Sequence, residues 1–248
     1  MSRGLFAAVC AVSVMTVAAA AWAATPAYVT SAVADAARPQ ADRDLDASRK
    51  PAELLTFTGL KPGDKIIDIM PGRGYTTHLF SKVVGPKGKV YAAAPPSFAE
   101  RVKPVAEDPN FPNVTFLGQE FDSIAPPEKV DVVWTSQNYH DFHNPGRNGA
   151  PGVDIAKFNK AVFNALKPGG VYVITDHSAG VGAPVESTQK LHRIAPDLVK
   201  KEVLAAGFVL AGESDVLKEP GDDHTAPNSD SAVKGKTDKF VLKFRKPA

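Results

Sequence analysis

The sequence predicts a doubly wound, Rossmann-like α/β fold with a seven-stranded, mostly parallel sheet whose last strand is antiparallel. Three observations lead to this prediction. Strand and helix patterns alternate along most of the chain, as they do where crossover helices connect parallel strands. The run Val130–Trp134 is apolar apart from Asp131, which is typical of a strand covered on both faces. The last two strand-like runs have no helix between them, so they suit an antiparallel hairpin.

Local patterns predict each element in turn. Ser48 could cap a short helix that has Pro51 in its first turn and Gly59 at its end. The next helices carry apolar residues at a spacing of about 3.6, and the strands are short apolar runs. The predicted strands are Lys65–Met70, Lys89–Ala93, Val114–Leu117, Val130–Thr135, Gly170–Thr175, Phe208–Val216 and Lys239–Arg245; the predicted helices are Thr76–Val84, Phe98–Val105, Asp154–Leu166 and Pro196–Ala206.

The first 24 residues differ from the rest and predict a secretory signal peptide. Arg3 gives a positive start, an apolar run extends from Leu5 to Ala21, and Ala21-Trp22-Ala23 is a small-x-small cleavage site. This predicts a periplasmic or secreted protein without a stable membrane anchor after cleavage. Residues 25–47 show no clear period and predict a loosely held arm, and residues 48–248 predict one folded domain.

Composition limits the classes of function. The chain has 248 residues, 44% hydrophobic and 23% charged, which is typical of a globular protein. The 29 basic and 27 acidic residues give a net charge of +2, and no stretch combines basic with aromatic residues, so a nucleic-acid partner is not predicted. The sequence favours a small-molecule substrate and leaves the oligomeric state open.

Polar residues follow the predicted strands where a ligand would bind. In an open α/β sheet, ligands bind beyond the carboxyl ends of the strands. Glycines after the first strand permit a tight turn, and the next helix offers free N–H groups to an anion. We expect five loops at this edge, which contain Pro71–Tyr75, Gln119–Asp122, Asn138–Asn144, Asp176–Ser178 and Asp222–His224.

These motifs resemble class I S-adenosylmethionine-dependent methyltransferases, in particular a secreted branch of bacterial predicted methyltransferases. The resemblance covers roughly residues 48–247 and rests on the Asp68–Tyr75 turn, on Asn138-Tyr139-His140-Asp141, and on the Leu166–Gly170 segment. It implies S-adenosylmethionine as the cofactor. The cofactor-binding residues it implies are Asp68, Pro71, Gly72, Gly74, Tyr75, Gln119, Glu120, Asn138 and Tyr139, with Gln119 and Glu120 at the adenine.

The chain departs from the family pattern at two places. Tyr75 stands where the loop usually has a third glycine. The second strand ends in Ala93-Ala94-Pro95, although most of these enzymes have an acidic residue there to accept hydrogen bonds from the ribose. Glu100 or backbone carbonyls are the alternatives for that role.

His140, Asp141 and His177 are the candidate catalytic residues. Histidine suits a general base because its ordinary pKa is near neutrality, and Asp141 or Asp176 could orient His140. Two other functions stay open. The chain could be a non-catalytic small-ligand-binding protein with this fold, or a metal-dependent enzyme that uses His140, Asp141, His143, Asp176 and His177. We assign no metal from the sequence alone.

Overall fold

A computed structural model describes residues 24–145 and 152–248, and it confirms the predicted sheet. The sheet has seven strands in the order β3-β2-β1-β4-β5-β7-β6. The five strands β1 to β5 run parallel, and β7 lies antiparallel between β5 and β6. The strands are β1 Lys65–Ile69, β2 Lys89–Ala94, β3 Val114–Gly118, β4 Val130–Ser136, β5 Leu166–His177, β6 Val209–Ser214 and β7 Lys239–Arg245.

Ten α-helices surround the sheet in the described residues. They are α1 Ala27–Val33, α2 Gln40–Arg43, α3 Asp46–Arg49, α4 Pro51–Thr58, α5 Tyr75–Val84, α6 Ala99–Ala106, α7 Tyr139–Phe142, α8 Ile155–Ala165, α9 Ser187–Leu191 and α10 Pro196–Ala205. Asp154 caps α8 as predicted, since its side chain accepts a hydrogen bond from the N–H of Lys157. Ser48 does not cap α4, because it lies inside α3 and the capping position belongs to Lys50.

Strand β5 begins four residues before the predicted strand. The sequence Lys167-Pro168-Gly169-Gly170 predicts a break, yet Leu166 already pairs with Val130 of β4. The register shifts between Val130 and Val132, and such an irregularity accommodates glycine and proline within a strand. Tertiary pairing therefore overrides the local turn signal.

Two apolar layers cover the two faces of the sheet. One layer contains Leu79 and Phe80 of α5, which pack against Ile66 and Trp134. The other contains Phe158 and Val162 of α8 and Val199 and Val203 of α10, which pack against alternate residues of the same strands. Because successive strand residues point to opposite faces, both faces are apolar and the edge of the sheet is left for polar chemistry.

Residues 25–47 pack against the domain, which corrects the prediction of a loosely held arm. Val29 of α1 is fully buried and Ala32, three residues later on the same helix face, is 3% exposed; both belong to the layer that contains α4 and α5. Arg38 is also buried. Most apolar residues of this segment are alanines, and its anchors include buried polar pairs, which have no period in a sequence.

The predicted signal peptide falls almost entirely on residues 1–23, which lie outside the described residues. None of the helices in residues 24–145 and 152–248 has the length and apolar character needed to cross a bilayer.

Candidate active site at the carboxyl edge of the sheet

A cleft of about 390 Å³ opens at the carboxyl ends of β1 and β4. Its floor is the turn after β1, in which Met70, Gly72 and Gly74 have φ of 53°, 61° and 91°. Glycine adopts this left-handed conformation without strain. A Cβ on Gly74 would also lie 2.6 Å from Cγ1 of Val105. The cleft is lined by Ala41, Asp42, Leu45, Arg49, Asp68, Ile69, Met70, Pro71, Gly72, Arg73, Tyr75, Thr76, Ser136, Gln137 and Asn138.

Asp68 presents a buried carboxyl group at the base of this cleft. Its Oδ2 accepts hydrogen bonds from the hydroxyls of Thr76 and Thr77, at 2.8 and 2.7 Å, in the first turn of α5. The residue is 1% exposed, and this burial raises the pKa of Asp68 to about 7, against the two hydrogen bonds that lower it. A cationic ligand group would stabilise the ionised carboxylate.

Helices α2 and α3 cover one side of the cleft, and Tyr75 fixes α3. The Tyr75 hydroxyl donates to Oδ1 of Asp46 at 2.8 Å, and Arg38 binds both carboxylate oxygens of Asp46 at 2.7 and 2.8 Å. The guanidinium of Arg49 lies over the Tyr75 ring, 4.4 Å from its centroid. Tyr75, which replaces the third glycine, therefore attaches the N-terminal helices to the glycine turn.

A second, smaller pocket of about 140 Å³ adjoins the cleft. Both cavities are lined by Arg49, Tyr75 and Gln137. The second pocket extends over the ends of β4, β5 and β7, where Trp134, His177, Thr237 and Lys239 line it. The indole N–H of Trp134 is buried and has no hydrogen-bond partner among the described residues. The pocket thus has an apolar wall with several donors, as expected of a site for a small polar group.

His140 and Asp176 form a buried pair beside this pocket. Nδ1 of His140 lies 2.7 Å from Oδ1 of Asp176, and the backbone N–H of His140 donates to Oδ2 at 2.8 Å. Burial disfavours the charged form of each side chain. The electrostatic attraction and the hydrogen bond between them outweigh this effect, so the pKa of His140 is raised and that of Asp176 is lowered. His140 is not among the residues that line either cavity.

His177, in contrast, lines the second pocket. Its Nδ1 lies 2.8 Å from the hydroxyl of Thr237, and its ring centroid is 5.9 Å from that of His140. Burial lowers the pKa of His177 to about 4, more than the nearby Asp176 raises it. Of the three candidate catalytic residues, His177 is the one that borders a cavity; Asp141 lies beside His140 at the surface, 3.3 Å from its Nε2.

Asn138 and Tyr139 have different surroundings. The Asn138 amide donates to the carbonyl of Ser136 at 2.7 Å and to that of Met70 at 3.2 Å, so it connects the end of β4 to the glycine turn. Tyr139 does not line the cleft. It is fully buried, donates to Glu202 at 3.0 Å and accepts from Asn159 at 2.8 Å. Tyr139 directly follows Asn138, but its ring points the other way and packs in the apolar layer that contains Phe158 of α8.

The residues expected at the adenine and ribose also lie outside the cleft lining. The Gln119 amide bonds to the backbone of Ala125, at 2.7 and 3.1 Å, and Glu120 follows it at the end of β3. The Glu100 side chain is 98% exposed, lies 3.9 Å from Lys103 and is not part of the cleft lining. Asp42 of α2 is a carboxylate that does line the cleft, but it already pairs with Nδ1 of His78 at 2.7 Å.

His192 joins the group of polar residues around His140, which the sequence did not indicate. Its Nδ1 lies 3.3 Å from Oδ1 of Asp141, because the loop after α9 returns to α7. His143, which the sequence grouped with His140, instead lies 3.2 Å from Glu202. No local sequence pattern distinguishes His192 from His143, because the packing of the loops decides which of them lies near Asp141.

The long connection between β6 and β7 is fixed by a buried ion pair. Arg193 donates to both oxygens of Asp222 at 2.7 and 3.1 Å, and both side chains are almost fully buried. Arg193 also donates to the carbonyl of Ser178 after β5. The connection is therefore attached to the same edge of the sheet as the two cavities.

Comparisons with known proteins agree with this architecture. A family model described as Protein-L-isoaspartate(D-aspartate) O-methyltransferase matches residues 14–100, less than half of the chain. A Protein-L-isoaspartate O-methyltransferase of Ignicoccus hospitalis is 26% identical over 180 residues, which cover 68% of this chain and 72% of that protein.

Two solved structures show the fold. A SAM dependent methyltransferase from Aquifex aeolicus has a TM-score of 0.59 at 22% identity and covers 84% of this chain and 93% of its own. Fibrillarin from Aeropyrum pernix, solved with natively bound S-adenosyl-L-methionine, has a TM-score of 0.50 at 16% identity over 81% of this chain and 76% of its own. The chain has the fold of class I S-adenosylmethionine-dependent methyltransferases.

Proposed function

We propose that this chain is an exported methyltransferase that transfers the methyl group of S-adenosylmethionine to a small-molecule acceptor. One observation carries the proposal: the glycine turn, Asp68 and Asn138, which lie up to 70 residues apart in the sequence, meet at one cleft beside a second pocket. The fold and the similarity to methyltransferases support S-adenosylmethionine as the cofactor.

The cleft fits such a cofactor. Its volume is in the range of small-molecule sites. Gly72 has open space where a Cβ would be, which lets a ligand approach the backbone closely. Asp68 would attract the cationic methionine end. Gly74 precedes helix α5 at the N-cap position and has no side chain to cap it, so the first N–H groups of the helix are available to an anionic group such as a carboxylate.

Methyl transfer requires alignment more than covalent chemistry by the protein. When bound, S-adenosylmethionine would supply a methyl group to a lone pair of the acceptor and would leave as a neutral thioether, and a hydroxyl acceptor would release its proton to water. The second pocket would hold the acceptor, since it adjoins the cleft at Tyr75 and Gln137. His177, whose Nδ1 is held by Thr237, would position a hydroxyl there. Fixing the two reactants together would supply a large part of the rate enhancement.

Calorimetry with S-adenosylmethionine and S-adenosylhomocysteine tests the cofactor assignment. We expect saturable binding of both by the wild-type chain and at least tenfold weaker binding by Gly72→Ala, whose new methyl group would point toward the cofactor. Gly63→Ala is the matched control, because Gly63 also has positive φ and open space but lies outside the cleft. Absence of binding by the wild type, or equal loss in both variants, would refute the assignment.

A protein acceptor is the second candidate, because the family model and the Ignicoccus relative are both named for protein L-isoaspartate methylation. Labelled S-adenosylmethionine, an isoaspartyl peptide and a panel of phenols, carboxylic acids and amines would separate the two. We expect transfer to a panel member and not to the peptide, because the second pocket has only about 140 Å³. Efficient transfer to the peptide alone would reject the small-molecule acceptor.

Export is supported by the charged start and apolar run of residues 1–24. Fractionation of cells that express the full chain, followed by N-terminal sequencing, tests it. We expect a periplasmic or secreted protein that begins near residue 25. An intact N-terminus in the cytosolic fraction would contradict export without affecting the cofactor assignment.

A further inference from the structure

Three potential metal ligands converge beside the second pocket. Nε2 of His140 and Nδ1 of His192 each lie 3.3 Å from Oδ1 of Asp141. One ligand atom from each of these residues lies within 4.8 Å of the other two. His140 and Asp141 are in the short helix α7 after β4, and His192 directly follows α9, so two separate segments of the chain supply the group.

The spacing of these atoms is close to that in a zinc site. Zinc binds histidine nitrogen and carboxylate oxygen at about 2.0–2.1 Å, and a tetrahedral arrangement then places neighbouring ligand atoms about 3.3 to 3.4 Å apart. The two measured separations of 3.3 Å match this value. Two imidazoles and a carboxylate are a donor set that suits zinc and similar divalent transition metals.

His140 is already oriented as a metal ligand. The contact between Asp176 and Nδ1 of His140 leaves Nε2 as the nitrogen that faces Asp141, and metal binding would displace any proton that Nε2 of His140 or Nδ1 of His192 shares with Asp141. Asp176 is fully buried, and its oxygens also accept from the backbone N–H groups of His140 and His177. A carboxylate behind the coordinating histidine is the usual arrangement in metal sites, where it fixes the ring and raises its basicity.

The opposite side of the group is open. The side chains of Asp141 and His192 are 51% and 48% exposed, whereas His140 is 3% exposed. His192 has φ of 49°, an uncommon conformation for a residue other than glycine, and its carbonyl accepts from the amide of Asn228. The structure therefore holds the ring near Asp141 while leaving room for further ligands.

We propose that His140, Asp141 and His192 bind a divalent transition-metal ion of the zinc class, whose remaining coordination positions are open to oxygen ligands. Three protein ligands with an open position are typical of catalytic rather than structural sites. The ring of His177, 5.9 Å from that of His140, separates this site from the second pocket. Metal binding does not depend on methyl transfer, so the two proposals can fail separately.

Cobalt(II) is the probe that tests this site, because its visible absorption reports the coordination. We expect tag-free, chelator-treated protein to bind one Co²⁺ per chain in the absence of S-adenosylmethionine, and Zn²⁺ to displace it. His192→Gln and Asp141→Asn should each weaken binding at least tenfold. Both side chains are about half exposed, so neither substitution should unfold the protein, and circular dichroism and urea titration would check this.

His224→Gln is the matched control. His224 also pairs with a carboxylate, that of Asp238 at 3.0 Å, but it is not part of the group. Tenfold losses in the two ligand variants and none in the control would support the site. Absence of stoichiometric Co²⁺ binding by the wild type, unchanged binding by both ligand variants, or an equal loss in His224→Gln would overturn it.

Discussion

Single residues set the shape of the cleft, and the two glycines of the turn do so differently. Gly74 has φ of 91°, and a Cβ there would lie 2.6 Å from Val105 and 2.9 Å from the His78 ring; Gly72 has φ of 61° and open space around it. Gly74 is required by packing as well as by backbone conformation. Gly72 is required by the backbone conformation and by the ligand.

We predict that Gly74→Ala destabilises the protein more than Gly72→Ala. Left-handed strain costs about 1 kcal/mol in either variant, and the collision with Val105 adds about 1–2 kcal/mol in Gly74→Ala. Urea unfolding of the two variants and the wild type would measure the difference. Equal losses of the free energy of unfolding would show that the packing around Gly74 adapts without cost.

Asp68 predicts a dependence of stability on pH. Its pKa is raised by burial from 3.8 to about 7, so between these values the folded protein holds a proton that the unfolded chain has lost. The stability contributed by this group is fully present below pH 3.8 and is lost as the pH rises toward 7. Asp68→Asn does not titrate, so its free energy of unfolding should rise relative to the wild type over this interval.

Urea unfolding of both proteins at several pH values from 4 to 8 would measure this change. The difference between them should become constant above about pH 7. A difference that does not change with pH would show that the folded pKa of Asp68 is not raised.

At the scale of elements, α2 and α3 complete the cleft, and α1 anchors the segment that carries them to the domain. Helix α1 is held by apolar packing at Val29 and Ala32, whereas α3 is held by the contacts of Asp46 with Arg38 and Tyr75. The N-terminal segment thus supplies Leu45 and Arg49 to both cavities. We therefore expect the packing of this segment against the domain and the binding of a ligand in the cleft to be coupled.

We predict that Asp46→Ala costs about 2 kcal/mol of stability, because it removes the carboxylate partner of buried Arg38 and the acceptor of Tyr75. It should also weaken S-adenosylmethionine binding. Asp44→Ala is the control, since Asp44 is exposed and accepts from Gln40 alone; it should change stability by less than about 0.5 kcal/mol. Unfolding titrations and calorimetry of both variants would measure the two effects, and similar values for them would contradict the role given to Asp46.

At the scale of the whole molecule, the ion pair between Arg193 and Asp222 joins the connection before β7 to the carboxyl edge of the sheet. Arg193 contacts Asp222, the carbonyl of Ser178 and that of Ala226, so one guanidinium links three chain segments. Burial opposes the charge on Asp222, but Arg193 lowers the pKa of that carboxyl. Stability from this group is present above its ordinary pKa and is lost as the pH falls.

We predict that Asp222→Ala costs about 3–5 kcal/mol of stability, because it leaves Arg193 buried without a carboxylate. Asp223→Ala is the control: the adjacent Asp223 is exposed and bonds to Thr225 alone. Thermal and urea unfolding would compare them. If both variants unfold like the wild type, Arg193 has found another partner and the connection is not anchored by this pair.

Much of the fold follows from local sequence. The strand runs, the glycine turn and the Asp154 cap depend on neighbouring residues, so their signals survive without knowledge of the rest of the chain. The same reasoning placed Asp68, Gly72 and Asn138 at one edge, because the ends of parallel strands meet there. It did not predict which way each side chain points beyond that edge.

The sequence by itself determined the succession of the seven strands, the topology class and the edge at which the polar loops gather. Only the tertiary structure decided that residues 25–47 cover the cleft, that Tyr139 enters the helix layer, and that His192 rather than His143 lies near Asp141. The physical reason is that helix and strand periodicity and turn chemistry act between near neighbours in the chain. Buried ion pairs and hydrogen bonds between distant loops depend instead on packing, which has no local signature.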